Sequence, residues 1–446
     1  MLDCLIVGAG PAGTIAAVVL ARAGARVCLV DRAAFPRDKL CGDTVNPGTL
    51  TLLRHLGLAS DIESRGLPVA GMRVTGADGT IVEGRYPSPL SGRAMRRREL
   101  DALLVTNAVG AGCEFEPQVA VSGAEIDYTG QHPKVIGVRV GPERSSRVLR
   151  ARVIIAADGR RSTLAFGLGL ARHADCPRRW AIGGYFETHA NLFALQSASN
   201  QTSNPALDGP QSECARTSLG LGSEFDANEG PSRLRPDSVP GPSRVRPGSV
   251  PGPSLSLGCI GEMHIRPGRY IGVASVPGGL TNVCLVKPSF PGDGDLRDPA
   301  ARLTRELAGD TMLRDRFAGA RLVAPPVVLG PLAVDVSARQ IDGLLLAGDA
   351  AGFVDPMTGD GLRFAVQGGE LAGMAALDAL QNGWLGVHAR LAAQRRRAFA
   401  AKQRLNRALR AVVGSPAAVS VATTAARVMP GALRAVIIRA GDCDLA

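Results

Sequence analysis

The segment that most constrains this chain is its first thirty-one residues. Leu5-Ile6-Val7 is a short apolar run of strand type. Gly8-Ala9-Gly10-Pro11-Ala12-Gly13 follows, then a helical stretch to about Gly24, and then Val27-Cys28-Leu29-Val30 ending in Asp31. A G-x-G-x-x-G run carries weight only in such a setting, between a strand and a helix and answered by an acid at the end of the next strand. There Gly8 permits the tight turn, Gly10 lets the backbone approach a pyrophosphate, and Gly13 lets helix and strand pack closely. The helix start offers unpaired N–H groups to the anion. An Asp at position 31, where an Arg would accommodate a 2′-phosphate, suits an unphosphorylated adenosine ribose and so FAD or NAD.

No second run of this kind follows a strand, so one dinucleotide fold is expected. Met72–Thr75 and Ile81–Glu83 flank Asp78-Gly79, a hairpin-turn dipeptide. Val135–Val140 and Arg147–Leu149 read as another strand pair. Val153–Ala157 and Leu344–Ala347 are continuously apolar, as strands buried on both faces of a parallel sheet are. The second of these delivers Asp349 into the small-residue turn Gly348-Asp349-Ala350-Ala351-Gly352, which suits holding a polyol against the backbone. Asp355-Pro356-Met357-Thr358-Gly359-Asp360-Gly361-Leu362 then opens a helix whose positive end can face a negative charge.

Composition narrows the partners. Only 4% of the 446 residues are aromatic, too few for a surface that stacks nucleic-acid bases, and no nucleic-acid partner is expected. Nine cysteines without a C-x-x-C or a nearby His form neither a zinc pattern nor a disulfide framework, so no metal is expected and a reducing, cytoplasmic setting is implied. Of the net charge of +11, residues 388–446 carry +9, from eleven Arg/Lys against Asp442 and Asp444. Such a tail is a solvated helical face or a peripheral contact with anionic lipid. Residues 190–257 break the rhythm of the chain. Two eleven-residue units, 230–240 and 241–251, differ at two positions, and seven prolines between Pro231 and Pro253 exclude helix and internal strand. This stretch reads as a low-complexity, disordered Pro/Ser/Gly/Arg insertion.

With these residues in view, the N-terminal unit together with Gly348-Asp349 resembles the flavin-binding fold of the para-hydroxybenzoate hydroxylase-type superfamily. Phe35-Pro36-Arg37-Asp38-Lys39-Leu40-Cys41-Gly42 is similar to the Pro-Arg-x-Lys-x-Cys-Gly loop of the geranylgeranyl reductase family. The likeness spans about 1–186 and 262–380. It implies that Gly8, Gly10, Ala12 and Gly13 line the FAD pyrophosphate, with Asp31 and its neighbour Arg32 at the adenosine ribose. Cys41, Gly42 and Thr44 would border the flavin, where Cys41 is also a candidate proton donor. Arg97 would reach the cofactor phosphates and ribityl chain, Asp158-Gly159 would lie near the pyrophosphate, and Asp349 would bind the ribityl or pyrophosphate region. Gly361 and Leu362 would sit at the pyrimidine edge. Where the family has an aromatic substrate stretch, this chain has Tyr270-Ile271-Gly272-Val273-Ala274-Ser275-Val276-Pro277-Gly278.

The expected fold is α/β: a Rossmann-type FAD-binding domain with a parallel sheet, interrupted by a mostly antiparallel β-sheet substrate domain, followed by C-terminal helices. The FAD-binding domain is assigned to 1–70, 96–165 and 341–380, the substrate domain to 71–95 and 166–340, and the basic C-terminal helices to 381–446. The resemblance implies an FAD-dependent oxidoreductase, with NAD(P)H as donor, that reduces a C=C bond of a small apolar or isoprenoid-like substrate by hydride transfer. The alternative is a flavin monooxygenase that works through a C4a-hydroperoxide. A third reading is a non-catalytic flavin-fold protein that binds partners. The oligomeric state is left open by the residues.

Overall fold

In the computed structural model, the described residues are 1–141, 146–175, 178–188, 258–288, 293–353, 359–415 and 428–443, with 357, 418, 421 and 424. The insertion at 190–257, and 355, 356 and 358 of the second glycine-rich stretch, lie outside them.

Leu2–Val7 forms a strand whose last four side chains are buried. It pairs in parallel with Val27–Asp31 on one side and with the end of Arg147–Ala156 on the other. Glu114–Pro117 and Leu344–Leu346 extend this parallel core at its two sides. The continuously apolar runs therefore occupy the sheet centre, as expected of strands covered on both faces. The beginning of Arg147–Ala156 turns to antiparallel pairing with Lys134–Val140, which pairs with Val121–Asp127.

One face of the parallel core is covered by the helices Pro11–Arg22 and Gly361–Asn382. They approach closely because their contact carries almost no side chain. A Cβ on Gly369 would stand 2.3 Å from the Ala12 carbonyl oxygen, and one on Gly373 would stand 3.1 Å from Val19. The first glycine-rich loop and the start of the second helix are thus held together at one end of the sheet.

The second sheet is mixed but mostly antiparallel. Its central order is Arg179–Glu187, Leu280–Pro288, Arg269–Val276, Cys259–Arg266, Leu67–Thr75, Gly92–Ala94 and Thr44–Val45. Cys259–Arg266 with Leu67–Thr75 is its parallel pair. The hairpin around Asp78-Gly79 pairs Thr75 with Ile81. A boundary at 70/71 falls inside the Leu67–Thr75 strand, and Thr44–Val45 already belongs to this sheet. The chain enters the second layer earlier than apolar patterning indicates, because a two-residue strand has no periodicity to read.

The described helices of the C-terminal region pack on both layers. The Val387–Gly414 helix packs along Gly361–Asn382, and the helix Pro430–Ala440 packs on the Ile81–Arg85 strand. Among the described residues no helix is long and apolar enough to cross a membrane.

Candidate active site

The glycine loop has the geometry its sequence requires. Gly8 has φ +103°, and a Cβ there would stand 2.5 Å from the Ala157 carbonyl oxygen; a Cβ on Gly13 would stand 1.9 Å from the Gly8 carbonyl oxygen. These two positions admit nothing but glycine. At Gly10 the nearest atom to such a Cβ is Arg37 Nη2 at 3.6 Å, so this glycine leaves space for something outside the chain. Asp31 ties the loop to its strand, because its carboxylate accepts from the Ala9 N–H at 2.8 Å and the Ala33 N–H at 2.9 Å.

Gly10 and Ala12 open onto a cavity of about 1020 Å³ including its mouth, which also brings together Cys41, Gly42, Thr44, Arg97, Gly159, Asp349, Gly361 and Leu362. Positions from 10 to 362 in the chain thus meet at one site. Gly8, Gly13 and Asp31 shape its floor from beneath. Arg32 and Asp158 do not border it. Arg32 is exposed at the strand end. Asp158 Oδ2 accepts from the Thr163 N–H at 2.8 Å, at the first residue of the short Thr163–Gly167 helix, whose cap is Ser162. Burial pushes its carboxyl up, against the Ser162 and Thr163 hydrogen bonds.

Arg97 is 6% exposed and is held from its own helix, with Nε and Nη2 donating to Asp101 at 2.9 and 3.0 Å. Burial opposes its charge, but Asp101 and then Cys41 outweigh that and push its pKa up. Two of the guanidinium nitrogens are thus engaged by Asp101, and Arg97 lines the cavity together with Cys41. Two cations absent from the expected set also line the cavity, Lys39 and Arg160. Burial lowers the pKa of Lys39, and the Arg97 charge adds to this. Burial pushes Arg160 down to about 10 against the attraction of Asp349, and its Nε is buried with no hydrogen-bond partner. A half-buried guanidinium with an orphaned N–H beside the glycine cradle fits an anionic group. Gly159, at φ +84°, keeps the intervening backbone open.

The sequence also passed over Asp43, between the motif residues Gly42 and Thr44. It is 1% exposed, with φ +55°. Its Oδ1 accepts from the Arg97 N–H at 3.1 Å, and its Oδ2 accepts from the Tyr185 hydroxyl and from Asn282 Nδ2, each at 2.6 Å. Asn282 Nδ2 also donates to the Cys41 carbonyl at 2.7 Å. Burial raises the Asp43 carboxyl to about 6, against those hydrogen bonds. The loop bearing Cys41 is thereby fastened to the second sheet and to the start of the Arg97–Gly110 helix. The left-handed backbone of a non-glycine residue is the kind of local cost that surrounding structure must sustain.

A second, largely apolar chamber of about 880 Å³ including its mouth adjoins this cavity at Thr44 and Gly359. The sheet supplies Val69, Met72, Val74, Met263 and Ile265, and the C-terminal helices supply Leu409, Val436, Ile437 and Ala440.

The fold and this cradle define a flavoprotein of the single-Rossmann, two-sheet type. Residues 1–191, somewhat under half of the chain, match the FAD binding domain family. The same stretch is 37% identical over 189 residues to the menaquinone reductase of Mycolicibacterium smegmatis, covering 41% of this chain and 44% of that protein. The chain therefore spans less than half the length of that relative. Over most of its length, it is 26% identical to digeranylgeranylglycerophospholipid reductase 2 of Methanopyrus kandleri, across 385 residues, 85% of this chain and 78% of that one. The likeness to geranylgeranyl reductases expected from the Cys41 loop thus stands. The flavin-dependent brominase Bmp2 shares the fold with a TM-score of 0.71 at 16% identity, over 99% of this chain and 94% of that one.

Proposed function

We propose that the protein is an FAD-dependent oxidoreductase that reduces a C=C bond of an apolar, isoprenoid-like substrate, with NAD(P)H as electron donor. The observation that carries this reading is the apolar chamber adjoining the cofactor cavity at Thr44 and Gly359. A wall of Val, Leu, Ile and Met favours hydrocarbon over water by about 25 cal/mol for each Å² of apolar surface removed from solvent. Among the described residues that line it there is no charged side chain. The names of the menaquinone and digeranylgeranylglycerophospholipid reductases point to apolar substrates in the same way.

FAD, when bound, supplies the hydride. Gly10, Gly159 and Arg160 would hold its pyrophosphate, and Asp349 its polyol. The N–H groups at the Gly361 helix start would favour negative charge at the pyrimidine edge. Cys41, fixed by Asn282 through its carbonyl, is the candidate source of the proton that completes the addition of two hydrogens. The apolar walls exclude water from the reacting carbon.

The test is to reduce the protein anaerobically with NADPH or NADH in the presence of menaquinone or geranylgeranyl lipid and to analyse the product by mass. Two added hydrogens support the reading. One added oxygen atom, taken from O₂ on aerobic mixing, would replace it with a hydroxylase. Failure of the folded protein to bind FAD would remove it altogether.

We also infer peripheral contact with anionic surfaces. Arg396, Arg397, Arg404 and Arg407 are exposed and, at 100° per residue, fall within one quadrant or so of the Val387–Gly414 helix. Arg395 instead turns inward to the Leu346 carbonyl.

A further inference from the structure

The C-terminal wall of the apolar chamber is held by a buried charge cluster centred on Lys402. Lys402, 5% exposed, donates to the Arg439 carbonyl at 3.0 Å, the Ala440 carbonyl at 2.7 Å and Asp442 Oδ1 at 2.8 Å. The same nitrogen stands 3.1 Å from Asp360 Oδ1, immediately before the Gly361 helix. Arg363, from the first turn of that helix, donates to Asp442 Oδ1 at 2.8 Å. Two cations and two carboxylates, all at least nine-tenths buried, thus join three elements. Such a cluster is costly to bury and more costly to break, since removing one member strands the others.

The backbone around it is shaped for close docking. A Cβ on Gly48 would stand 2.3 Å from Asp442 Cβ, one on Gly84 would stand 2.8 Å from Ile437, and one on Gly441 would stand 2.4 Å from the Tyr86 ring. The Gly48 N–H donates to the Gly441 carbonyl at 3.2 Å. The last helix is therefore seated at three glycine contacts, on the segment that follows Thr44 and on the Ile81–Arg85 hairpin, and Lys402 fastens its end.

We propose that Lys402 is a positioning residue for the chamber: it fixes the wall formed by Val436, Ile437 and Ala440 relative to the Gly361 helix start and so sets which apolar molecules fit beside the cofactor cavity. This inference rests on the reading of the chamber as the substrate site. Lys402 does not itself border the cofactor cavity and meets its edge only through Asp360, between Gly359 and Gly361.

The experiment uses the full chain loaded with FAD, the neutral dye Nile red as the apolar probe, and trypsin. Wild type binds the dye with blue-shifted emission, and Ile437→Trp abolishes binding. Lys402→Met weakens dye binding by about tenfold or more and speeds cleavage after Arg434 and Arg439 by a similar factor, with FAD content and far-ultraviolet circular dichroism unchanged. The double variant Lys402→Met/Asp442→Asn, which removes a stranded carboxylate, keeps both effects. Wild-type dye affinity and cleavage rate in Lys402→Met would overturn the proposal. So would loss of FAD and fold in both variants, which would make the cluster a general structural support. Dye binding indifferent to Ile437→Trp, with cleavage still dependent on Lys402, would instead overturn the chamber as the apolar site.

Discussion

Tyr185 and Asn282 face each other across adjacent antiparallel strands of the second sheet, and both donate to the same oxygen of Asp43 at 2.6 Å. Through this shared acceptor the loop that carries Cys41 is tied to the layer that carries the apolar chamber. A change on one strand is thereby felt at the cofactor cavity without touching it.

The Asp43 carboxyl gives this tie a pH dependence. Its folded pKa, raised by burial to about 6, lies above the ordinary 3.8. The folded state then binds more protons than the unfolded one between these values, so Asp43 costs stability progressively as pH rises from about 4 to 6. The full effect is at most about 3 kcal/mol. In flavin-free protein, thermal unfolding of wild type relative to Asp43→Asn should worsen across that window and level off above pH 7. A difference constant from pH 4 to 7 would contradict the assignment.

Gly13 and Gly10 of the first loop should separate fold from ligand. Gly13→Ala forces a Cβ against the Gly8 carbonyl and should cost about 1–3 kcal/mol as well as flavin binding. Gly10→Ala meets no close atom, so its melting temperature should stay within about 2 °C of wild type, while FAD affinity falls by about tenfold or more. Calorimetry paired with flavin titration reads both. Full FAD affinity in Gly10→Ala would place the pyrophosphate elsewhere.

Arg160 should behave as a ligand-binding cation. Its orphaned Nε carries a desolvation cost, so Arg160→Met should leave the melting temperature measured without flavin unchanged or raised. The same variant should lose FAD affinity by about tenfold to a hundredfold, in line with loss of a charge-assisted contact. Truncating Asp349 should likewise lose flavin.

The exposed arginine face of the Val387–Gly414 helix should respond to salt. Replacing Arg396, Arg397, Arg404 and Arg407 by Gln should abolish flotation with phosphatidylserine vesicles, and raising ionic strength should mimic the substitution. Binding insensitive to both would assign any vesicle contact to apolar residues.

What could be read from the residues follows how local each feature is. The Gly8–Gly13 loop, the apolar strands 153–156 and 344–346, and the hairpin at Asp78-Gly79 are each encoded within a few residues, and the structure places them as their patterns require. Arg97 was legible as a position but not in its pairing, since Asp101 one turn along takes two of its nitrogens. Asp158 was legible through its Asp-Gly pair but not in its contact, since one carboxylate oxygen accepts from the Thr163 N–H five residues along. The basic tail hid Lys402, which is indistinguishable in sequence from its exposed neighbours.

The sequence alone thus determined the dinucleotide cradle and the parallel core, because backbone geometry and β-α-β burial are properties of contiguous segments. Only the tertiary structure decided the Asp43–Tyr185–Asn282 clamp, the Lys402–Asp360–Asp442 cluster and the chamber between them. A buried polar group is stable only where partners from distant segments meet it, and strand register and helix docking, which no single segment encodes, bring those partners together.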